Sequence, residues 1–214
     1  MLDTHGHLLL QVIETQNHNT TNMQNSFLFL ADGFEEIEAL TCIDVMRRAG
    51  MSVVTVSIME RPTVTGAHGV QVLADSMLAD NDYDTAEWLI CPGGMPGATH
   101  LAECKPLGDA LTAHNARGGK VAAICASPAV VLAPLGILND RNAVCYPGME
   151  ADNPDINWGV MDVSIDGNII TGNGPAAANP FALAIVSHSL GEDAARQVAD
   201  GMLLYEGEHR FYFK

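Results

Sequence analysis

The sequence predicts an α/β protein built on a mainly parallel, doubly wound sheet. Short apolar runs alternate with longer segments whose apolar residues recur at helical spacing, which is the order expected of a βαβ fold. Most of the apolar runs end at glycine or proline turns. The 214 residues are enough to bury one full core, and no internal repeat or linker divides them. A single domain is therefore predicted over residues 26–206.

The first half of the chain supplies strand, helix and strand in turn. Residues 26–31 form a compact apolar run before Asp-Gly-Phe and are predicted as the first strand. Residues 35–49 are predicted as a helix, because acidic residues open it, Arg47 and Arg48 close it and Gly50 follows. The other predicted elements of this half are a strand at 52–58, a hairpin at 64–74 and a strand at 87–91.

The second half continues the alternation. Its predicted helices cover 98–104, 106–116, 128–135, 175–189 and 192–205, and its predicted strands cover 120–124, 142–146, 161–165 and 168–171. An Asp-Gly pair joins the last two strands, which is a strong hairpin signal. We expect residues 1–25 to be a disordered or irregular extension without the charged start of a signal peptide, and 207–214 to be a tail.

Composition argues against several classes of partner. The net charge is −16 and the chain has only ten Lys and Arg, which disfavours nucleic acid and anionic membrane surfaces. No apolar run is long enough to span a bilayer. The five cysteines include no Cys-x-x-Cys pair, so we predict neither a disulfide framework nor a zinc site, and a reducing cytoplasmic location.

The segment 120–132, K-V-A-A-I-C-A-S-P-A-V-V-L, is the most informative part of the chain. It is typical of a buried strand that passes through a sharp turn into a helix, with Ser127 as a candidate N-cap and Pro128 at the first helical position. The turn puts Cys125 at the carboxyl end of a strand and beside a helix N-terminus, where backbone N–H groups favour a thiolate. The alternative is a buried structural cysteine.

Two further groups are predicted at the same edge of the sheet. The turn Pro92–Gly94 follows a strand, and its glycines leave N–H groups able to bind an oxyanion. The acids Glu35, Glu36 and Glu38 open the first helix. Residues two apart diverge by about 200° on a helix, so one carboxylate could point inward while the others face water. The alternative is that all three are solvated charges that complement the helix dipole.

Five segments of the chain resemble, in order and spacing, those of the ThiJ/PfpI superfamily, and especially its protein deglycase branch. The resemblance covers residues 25–205 and implies a flavodoxin-like three-layer α/β sandwich, a homodimer and a cysteine on a nucleophile elbow. The segments are F-L-F-L-A-D-G-F-E-E-I-E-A, D-V-M-R-R-A-G, C-P-G-G, A-A-I-C-A-S-P and F-A-L-A-I-V.

The resemblance also implies roles for individual residues. Cys125 matches the family nucleophile, and Glu38 matches a buried glutamate that hydrogen-bonds it. The backbone groups that match the family's oxyanion-binding amides are those of Gly93, Gly94 and Ala126. An ionised Glu38 would raise the pKa of the thiol by repulsion, so we expect Glu38 to keep its proton and donate to a thiolate. Burial against Ile37 and Leu40 would favour that state.

The chain departs from the pattern of its own branch at two positions, and from the family's intracellular-protease branch at a third. Tyr146 stands where relatives often carry a histidine, and His68 where they often carry an arginine near the pocket. Both could therefore line the pocket, although His68 could equally be an exposed loop residue. Ala126, and not histidine, follows the cysteine, which argues against a Cys-His peptidase. No histidine and carboxylate pair has ligand-like spacing, so no metal site and no cofactor are predicted.

These expectations converge on a cytoplasmic, cysteine-dependent enzyme that acts on small reactive aldehydes. It would convert methylglyoxal or glyoxal to a hydroxy acid, as a glyoxalase, or release their early protein adducts, as a deglycase. One alternative is a redox-sensing or chaperone-like protein in which Cys125 is oxidised. A further alternative is a role in thiazole or thiamine metabolism, which rests on naming habits in the family.

Overall fold

Eleven strands and five α-helices make up the computed structural model, which describes residues 24–150 and 154–204. The strands are β1 (Ser26–Leu30), β2 (Val53–Ser57), β3 (Thr63–Thr65), β4 (Gln71–Leu73), β5 (Ser76–Met77), β6 (Trp88–Cys91), β7 (Lys120–Ile124), β8 (Asn142–Ala143), β9 (Asn157–Trp158), β10 (Val163–Asp166) and β11 (Ile169–Gly172). The α-helices are α1 (Glu36–Arg48), α2 (Gly97–Glu103), α3 (Lys105–Ala116), α4 (Ala178–Leu190) and α5 (Glu192–Gly201). A π-helix covers Pro128–Leu132, and 3₁₀ turns cover Leu78–Asp80 and Pro175–Ala177.

Seven strands form the central sheet in the order β10-β11-β7-β6-β1-β2-β5. All neighbouring pairs are parallel except β10 and β11, which form the hairpin predicted at the Asp-Gly turn. β1 connects through α1 to β2 on one side, whereas β6 connects to β7 on the other. The strand order therefore reverses between β1 and β6, and ligands bind at such a reversal in open α/β sheets.

The sheet separates two apolar cores, because successive side chains of a strand point to opposite faces. Val121 and Ala123 of β7 pack in the core that also contains Leu111 of α3. Ala122 and Ile124 pack in the other core. The members that α1 and α4 contribute to this second core are Ala39, Cys42, Ile43, Val45, Met46, Phe181, Ala182, Ile185 and Val186. The predicted α/β class, with a mainly parallel sheet between helical layers, is confirmed.

The two smaller sheets lie outside this arrangement. β3 and β4 form the antiparallel hairpin predicted at 64–74. The predicted end of the strand at 142–146 is wrong, because β8 stops at Ala143. Its partner is β9, a strand that the sequence did not predict. The reason is that Val144 N donates to the side chain of Thr171 (2.9 Å) and Tyr146 N to Cys125 O (2.8 Å), so neither continues the strand pairing.

Two helical predictions also differ from the structure. The helix predicted at 128–135 is a π-helix that ends at Leu132, with Ala133 N donating to Pro128 O. The helix predicted at 192–205 ends at Gly201. Residues 1–23 of the extension predicted at 1–25 lie outside the described residues. The tail predicted at 207–214 lies wholly outside them.

Within the described part of the chain, no helix combines the length and the apolar character needed to cross a bilayer. All five cysteines are free thiols.

Candidate active site

The carboxyl ends of β1, β6 and β7 meet at the point where the strand order reverses, and the predicted site residues follow these three strands. β1 leads into Glu35 and α1, β6 leads into the turn Pro92–Gly94, and β7 leads into Cys125. The site therefore combines three segments that are distant in sequence.

Cys125 is held in a conformation that side chains rarely adopt. Its φ is 63°, in the left-handed region that costs a non-glycine residue on the order of 1–2 kcal/mol. The backbone is fixed on both sides, because Cys125 N donates to Gly172 O (2.9 Å) and Cys125 O accepts from Tyr146 N (2.8 Å). Only 8% of the residue is exposed. The backbone therefore turns sharply at Cys125 and places the thiol at the end of β7.

Glu38 lies in the first turn of α1 and is fully buried. Its backbone N–H donates to Oε2 of Glu35, the N-cap residue, at 2.7 Å. Its side-chain Oε2 accepts from Gly93 N at 2.8 Å. Oε1 accepts no hydrogen bond of ordinary geometry from the described residues, and the Cys125 thiol interacts with this carboxyl group as a weaker partner.

The apolar neighbours expected to bury Glu38 do not do so. Ile37 and Leu40 are 57% and 40% exposed, so the prediction that they bury the carboxyl is wrong. The reason is helical geometry, because α1 directs these two residues away from the face that packs on the sheet. Glu38 is instead enclosed by the Pro92–Gly94 turn and Cys125.

The Pro92–Gly94 turn packs against both side chains of the pair. A Cβ built on Gly93 would lie 2.6 Å from Cys125 Cβ and 2.7 Å from Glu38 Oε2, so only glycine fits there. Gly93 O accepts from Glu35 N at 2.9 Å, which anchors the turn to the start of α1. Since Gly93 N–H donates to Glu38, the amides that face the thiol are those of Gly94 and Ala126.

Burial raises the cost of ionising both groups of the pair. Burial raises the pKa of Glu38 to about 7, and the Glu35 charge adds to this, while the Gly93 N–H and the thiol lower it. Burial also raises the pKa of Cys125 to about 12, and the charge of Glu38 contributes, while the amides of Gly94 and Ala126 lower it. The thiolate that the sequence predicts is thus opposed by desolvation and by an ionised Glu38.

The pair is best described as one unit that holds a mobile proton. Interacting sites of this kind titrate together, and the proton count belongs to the pair. With one proton, the pair is either a thiol beside a carboxylate or a thiolate beside a carboxylic acid. In the second form the repulsion from Glu38 is absent and the two amides favour the sulfur charge. The geometry therefore suits a thiol that ionises as its proton moves to Glu38.

Glu36 and His68 form an ion pair next to this site. His68 Nδ1 lies 2.7 Å from Glu36 Oε2, and His68 N donates to Glu36 Oε1 at 2.6 Å. The hydrogen bond between the two side chains and the charge of Glu36 raise the pKa of His68. Burial raises the pKa of Glu36, but the hydrogen bonds outweigh it and the net shift is downward. Glu35 and Glu36 are both 7% exposed, so the prediction that these acids face water is wrong.

Tyr146 contacts Cys125 through the backbone. Its N–H donates to Cys125 O, its ring packs over Gly174, and the residue is 48% exposed. The structure therefore puts Tyr146 in backbone contact with Cys125, whereas His68 reaches the site through Glu36 on α1. That the two side chains line a common pocket remains a prediction.

One group of side chains among residues 24–150 and 154–204 could hold a metal ion. Glu35, Glu36 and His68 each offer a ligand atom, and these atoms lie within 4.8 Å of one another. The spacing of these residues in the sequence did not predict the group, because His68 comes close to α1 only when the β3–β4 hairpin folds. The same atoms already serve as an N-cap and an ion pair.

Ser127 has a role that the sequence did not predict. It precedes the π-helix but makes no side-chain capping hydrogen bond, and its φ and ψ are helical at −65° and −34°. Its hydroxyl donates instead to Pro92 O at 2.5 Å. A hydroxyl two residues after the cysteine was the available signal, but its partner in the turn after β6 could not be read from the sequence.

Comparison with known proteins gives a consistent result. Residues 25–188 match the model of the DJ-1/PfpI family. The chain is 35% identical over 184 residues to protein dj-1beta of Drosophila melanogaster, covering 85% of this chain and 97% of that protein. It is 36% identical over 154 residues to the glutathione-independent glyoxalase DJR-1.2 of Caenorhabditis elegans, covering 71% of this chain and 81% of that protein.

Among solved structures, the oxidized DJ-1 of Toxoplasma gondii superposes with a TM-score of 0.82. It is 36% identical in sequence, and the match covers 85% of this chain and all of that one.

Proposed function

The chain belongs to the DJ-1/PfpI family, and on that premise we propose that it is a cofactor-independent, cysteine-dependent enzyme that acts on methylglyoxal, glyoxal or their early protein adducts. The observation that carries the proposal is the Cys125–Glu38 pair, a nearly buried thiol against a fully buried carboxyl group. The relative from Caenorhabditis elegans named as a glutathione-independent glyoxalase supports the reaction class.

The first step forms a bond between Cys125 Sγ and the aldehyde carbon of the substrate. As this bond forms, the thiol proton passes to Glu38 and the aldehyde oxygen becomes negative. The amides of Gly94 and Ala126, which already face the sulfur, stabilise this oxygen. Glu38 then returns the proton to the oxygen, giving a hemithioacetal.

The second step moves a proton between neighbouring carbons of the substrate. Glu38, now ionised, removes the proton from the former aldehyde carbon and delivers it to the former ketone carbon, acting first as base and then as acid. The hydroxyl proton of the hemithioacetal passes to the former ketone oxygen, so that the first oxygen becomes the thioester carbonyl and the second a hydroxyl. The product is a thioester of a 2-hydroxy acid on Cys125. Water hydrolyses the thioester, releases lactate from methylglyoxal and restores the thiol, so the sum is methylglyoxal plus water to lactate.

A pKa near 7 suits Glu38 for this work, because a group that both accepts and donates a proton is most effective near the working pH. His68 and Tyr146 would lie toward the outer part of the site, consistent with their exposure.

Lactate formation from methylglyoxal tests the proposal. Wild-type protein is expected to turn over, and Cys125→Ser to lose nearly all activity. Cys104→Ser is the matched control, since Cys104 is a free, partly exposed thiol away from the pair. Equal rates in wild type and Cys125→Ser would end the enzymatic proposal.

The same assay separates the two substrate classes. Protein adducts of methylglyoxal release free methylglyoxal, so their apparent repair can follow from glyoxalase activity alone. Lactate formation from adducts is therefore measured at matched concentrations of free methylglyoxal. A rate that follows only the free aldehyde identifies a glyoxalase, and an additional rate proportional to the adduct identifies a deglycase.

A second candidate function is redox sensing through oxidation of Cys125. Glu38 Oε1 is buried beside the thiol without an ordinary hydrogen-bond donor, and could donate a proton to an oxygen added to the sulfur. The similar structure from Toxoplasma gondii is of an oxidized DJ-1. Mass spectrometry after mild peroxide treatment tests this: Cys125 should be oxidised before the other four cysteines.

We also propose that the chain forms a homodimer through the start of α1. Ile37 and Leu40 are exposed there, and Val70 of the neighbouring loop, whose N–H lies 3.5 Å from Glu36 Oε1, is 48% exposed. Covering such an apolar patch favours association. Sedimentation velocity should find a dimer that Ile37→Lys converts to a monomer, and a wild-type monomer would contradict the proposal.

We also propose a cytoplasmic location, on the basis of the cysteines. Five free thiols, of which Cys125 must stay reduced to react, suit a reducing compartment. Subcellular fractionation of the expressed protein tests it.

A further inference from the structure

The peptide unit between Pro92 and Gly93 is hydrogen-bonded at both ends to groups of the site. Its carbonyl oxygen accepts from Ser127 Oγ at 2.5 Å, and its N–H donates to Glu38 Oε2 at 2.8 Å. Ser127 and Glu38 are both fully buried, so water competes for neither bond. One peptide plane therefore connects the hydroxyl of Ser127 to the carboxyl group of Glu38.

The position of Ser127 gives this connection a mechanical consequence. Ser127 lies two residues after Cys125, so the hydroxyl ties the segment that carries the thiol to the segment that carries Gly93. No other side chain among the described residues is known to donate to Pro92 O. Without the hydroxyl, a buried carbonyl would lose its donor and the peptide plane could rotate away from Glu38.

The connection also has an electrostatic consequence. A hydrogen bond donated to a peptide carbonyl polarises the peptide and makes its N–H a stronger donor. The Gly93 N–H in turn stabilises the charged form of Glu38, against the effect of burial. The groups that act on Glu38 from the other directions are the Glu35 charge and the Cys125 thiol.

We propose that Ser127 is a positioning residue of the active site, whose hydroxyl fixes the Pro92–Gly93 peptide and through it holds Glu38 against the Cys125 thiol. This rests on the proposed function for its consequence in turnover, but not for its effect on thiol reactivity. Ser127 contacts neither substrate nor sulfur in this scheme and acts only through the peptide and Glu38.

The test compares Ser127→Ala with a matched loss of a buried hydroxyl elsewhere. Ser57 is also fully buried, and its Oγ donates to Arg61 O at 2.6 Å, on β2, three strands from β7. Alkylation of Cys125 by iodoacetamide is measured from pH 6 to 10. Ser127→Ala should move the profile to lower pH by about half a unit or more, because Glu38 with a weaker Gly93 donor keeps its proton to higher pH and repels the thiolate less. It should slow lactate formation about fivefold, because less Glu38 is ionised to act as a base. Ser57→Ala should leave the profile unchanged.

A double-mutant cycle checks that the effect passes through Glu38. In a Glu38→Gln background, Ser127→Ala should no longer shift the alkylation profile. The proposal would be overturned if Ser127→Ala shifted the alkylation profile equally in both backgrounds, or if it caused no shift when Glu38 is present. Absence of lactate formation in wild type would instead refute the proposed function and leave the alkylation result standing.

A measurement on the wild-type protein tests the proposal even if the Ser127→Ala variant folds poorly. In NMR titrations of wild type, the Gly93 amide and the Ser127 Cβ should respond with one midpoint, while the Ser57 Cβ should not respond. A Gly93 amide that titrates while Ser127 stays constant would also overturn the proposal.

Discussion

Replacing Glu38 by Gln should change how the stability of the protein depends on pH. Glu38 is fully buried, and burial raises its pKa from 4.5 to about 7. The folded chain thus binds this proton more tightly than the unfolded chain. The contribution of Glu38 to stability is therefore fully present below pH 4.5 and is lost as the pH rises toward 7. Gln is close in shape and stays neutral, so it removes this dependence.

The magnitude follows from the shift in pKa. A rise from 4.5 to about 7 corresponds to about 3 kcal/mol, at about 1.4 kcal/mol per pKa unit. Roughly 2 kcal/mol of this falls between pH 5.5 and 8.5. The stability of Glu38→Gln relative to wild type should therefore increase by about 2 kcal/mol across that range, because only wild type must bury a charge at the higher pH.

Urea unfolding of reduced protein at several pH values measures this difference. Subtracting wild type from variant cancels the titration of groups that both proteins share. Glu36→Gln is the matched control, because the His68 hydrogen bonds lower the pKa of Glu36. That group stabilises the fold above its ordinary pKa of 4.5 and loses the effect in acid, so the control should show the opposite slope in unfolding measured below pH 4.5. A Glu38→Gln difference that is constant with pH would refute the reasoning.

Two further predictions concern the glycine of the turn and a carboxylate outside the site. Gly93→Ala would bring a methyl group within 2.7 Å of both Cys125 Cβ and Glu38 Oε2. It should destabilise the protein by about 1–3 kcal/mol in urea unfolding and slow Cys125 alkylation. The control is Gly201→Ala, whose methyl group would have nothing within 4 Å and which should have neither effect. Asp75→Asn should cost about 1–2 kcal/mol by the same measurement, since Oδ2 accepts from the backbone and hydroxyl of β2 and from an arginine. The pKa of Asp75 is lowered, so its contribution should be lost as the pH falls, and an Asn variant equally stable at pH 7 would contradict this role.

The sequence was sufficient for elements whose signals are local. The strand at 120–124 was predicted with the bounds of β7, and the helix at 35–49 lies within one residue of α1 at each end. Both combine a clear periodicity with stop signals, which do not depend on the rest of the fold. The parallel sheet followed from the alternation of such elements, and it put Cys125, the Pro92–Gly94 turn and the acids at one edge.

The parts that could not be predicted depend on contacts between distant segments. Glu35 and Glu36 are buried because the turn after β6 and the β3–β4 hairpin cover the start of α1. The sequence gives no sign of this cover, so acids at a helix start were expected to be solvated. Likewise, the strand at 142–146 stops early because Tyr146 N–H bonds to Cys125. A contact with the candidate site thus overrides the local β propensity of that segment.

The same long-range contacts explain why the thiol and the carboxyl group must be treated together. Gly93 leaves no space between Cys125 and Glu38, and it supplies the only backbone N–H known to hold the carboxyl group within the described residues. Any motion that relieved the repulsion between the two groups would also break this hydrogen bond. The two groups therefore reduce their cost of ionisation by sharing a proton and not by moving apart. Placing a weak acid and a soft nucleophile in one rigid, buried space ties the reactivity of the sulfur to the proton on Glu38.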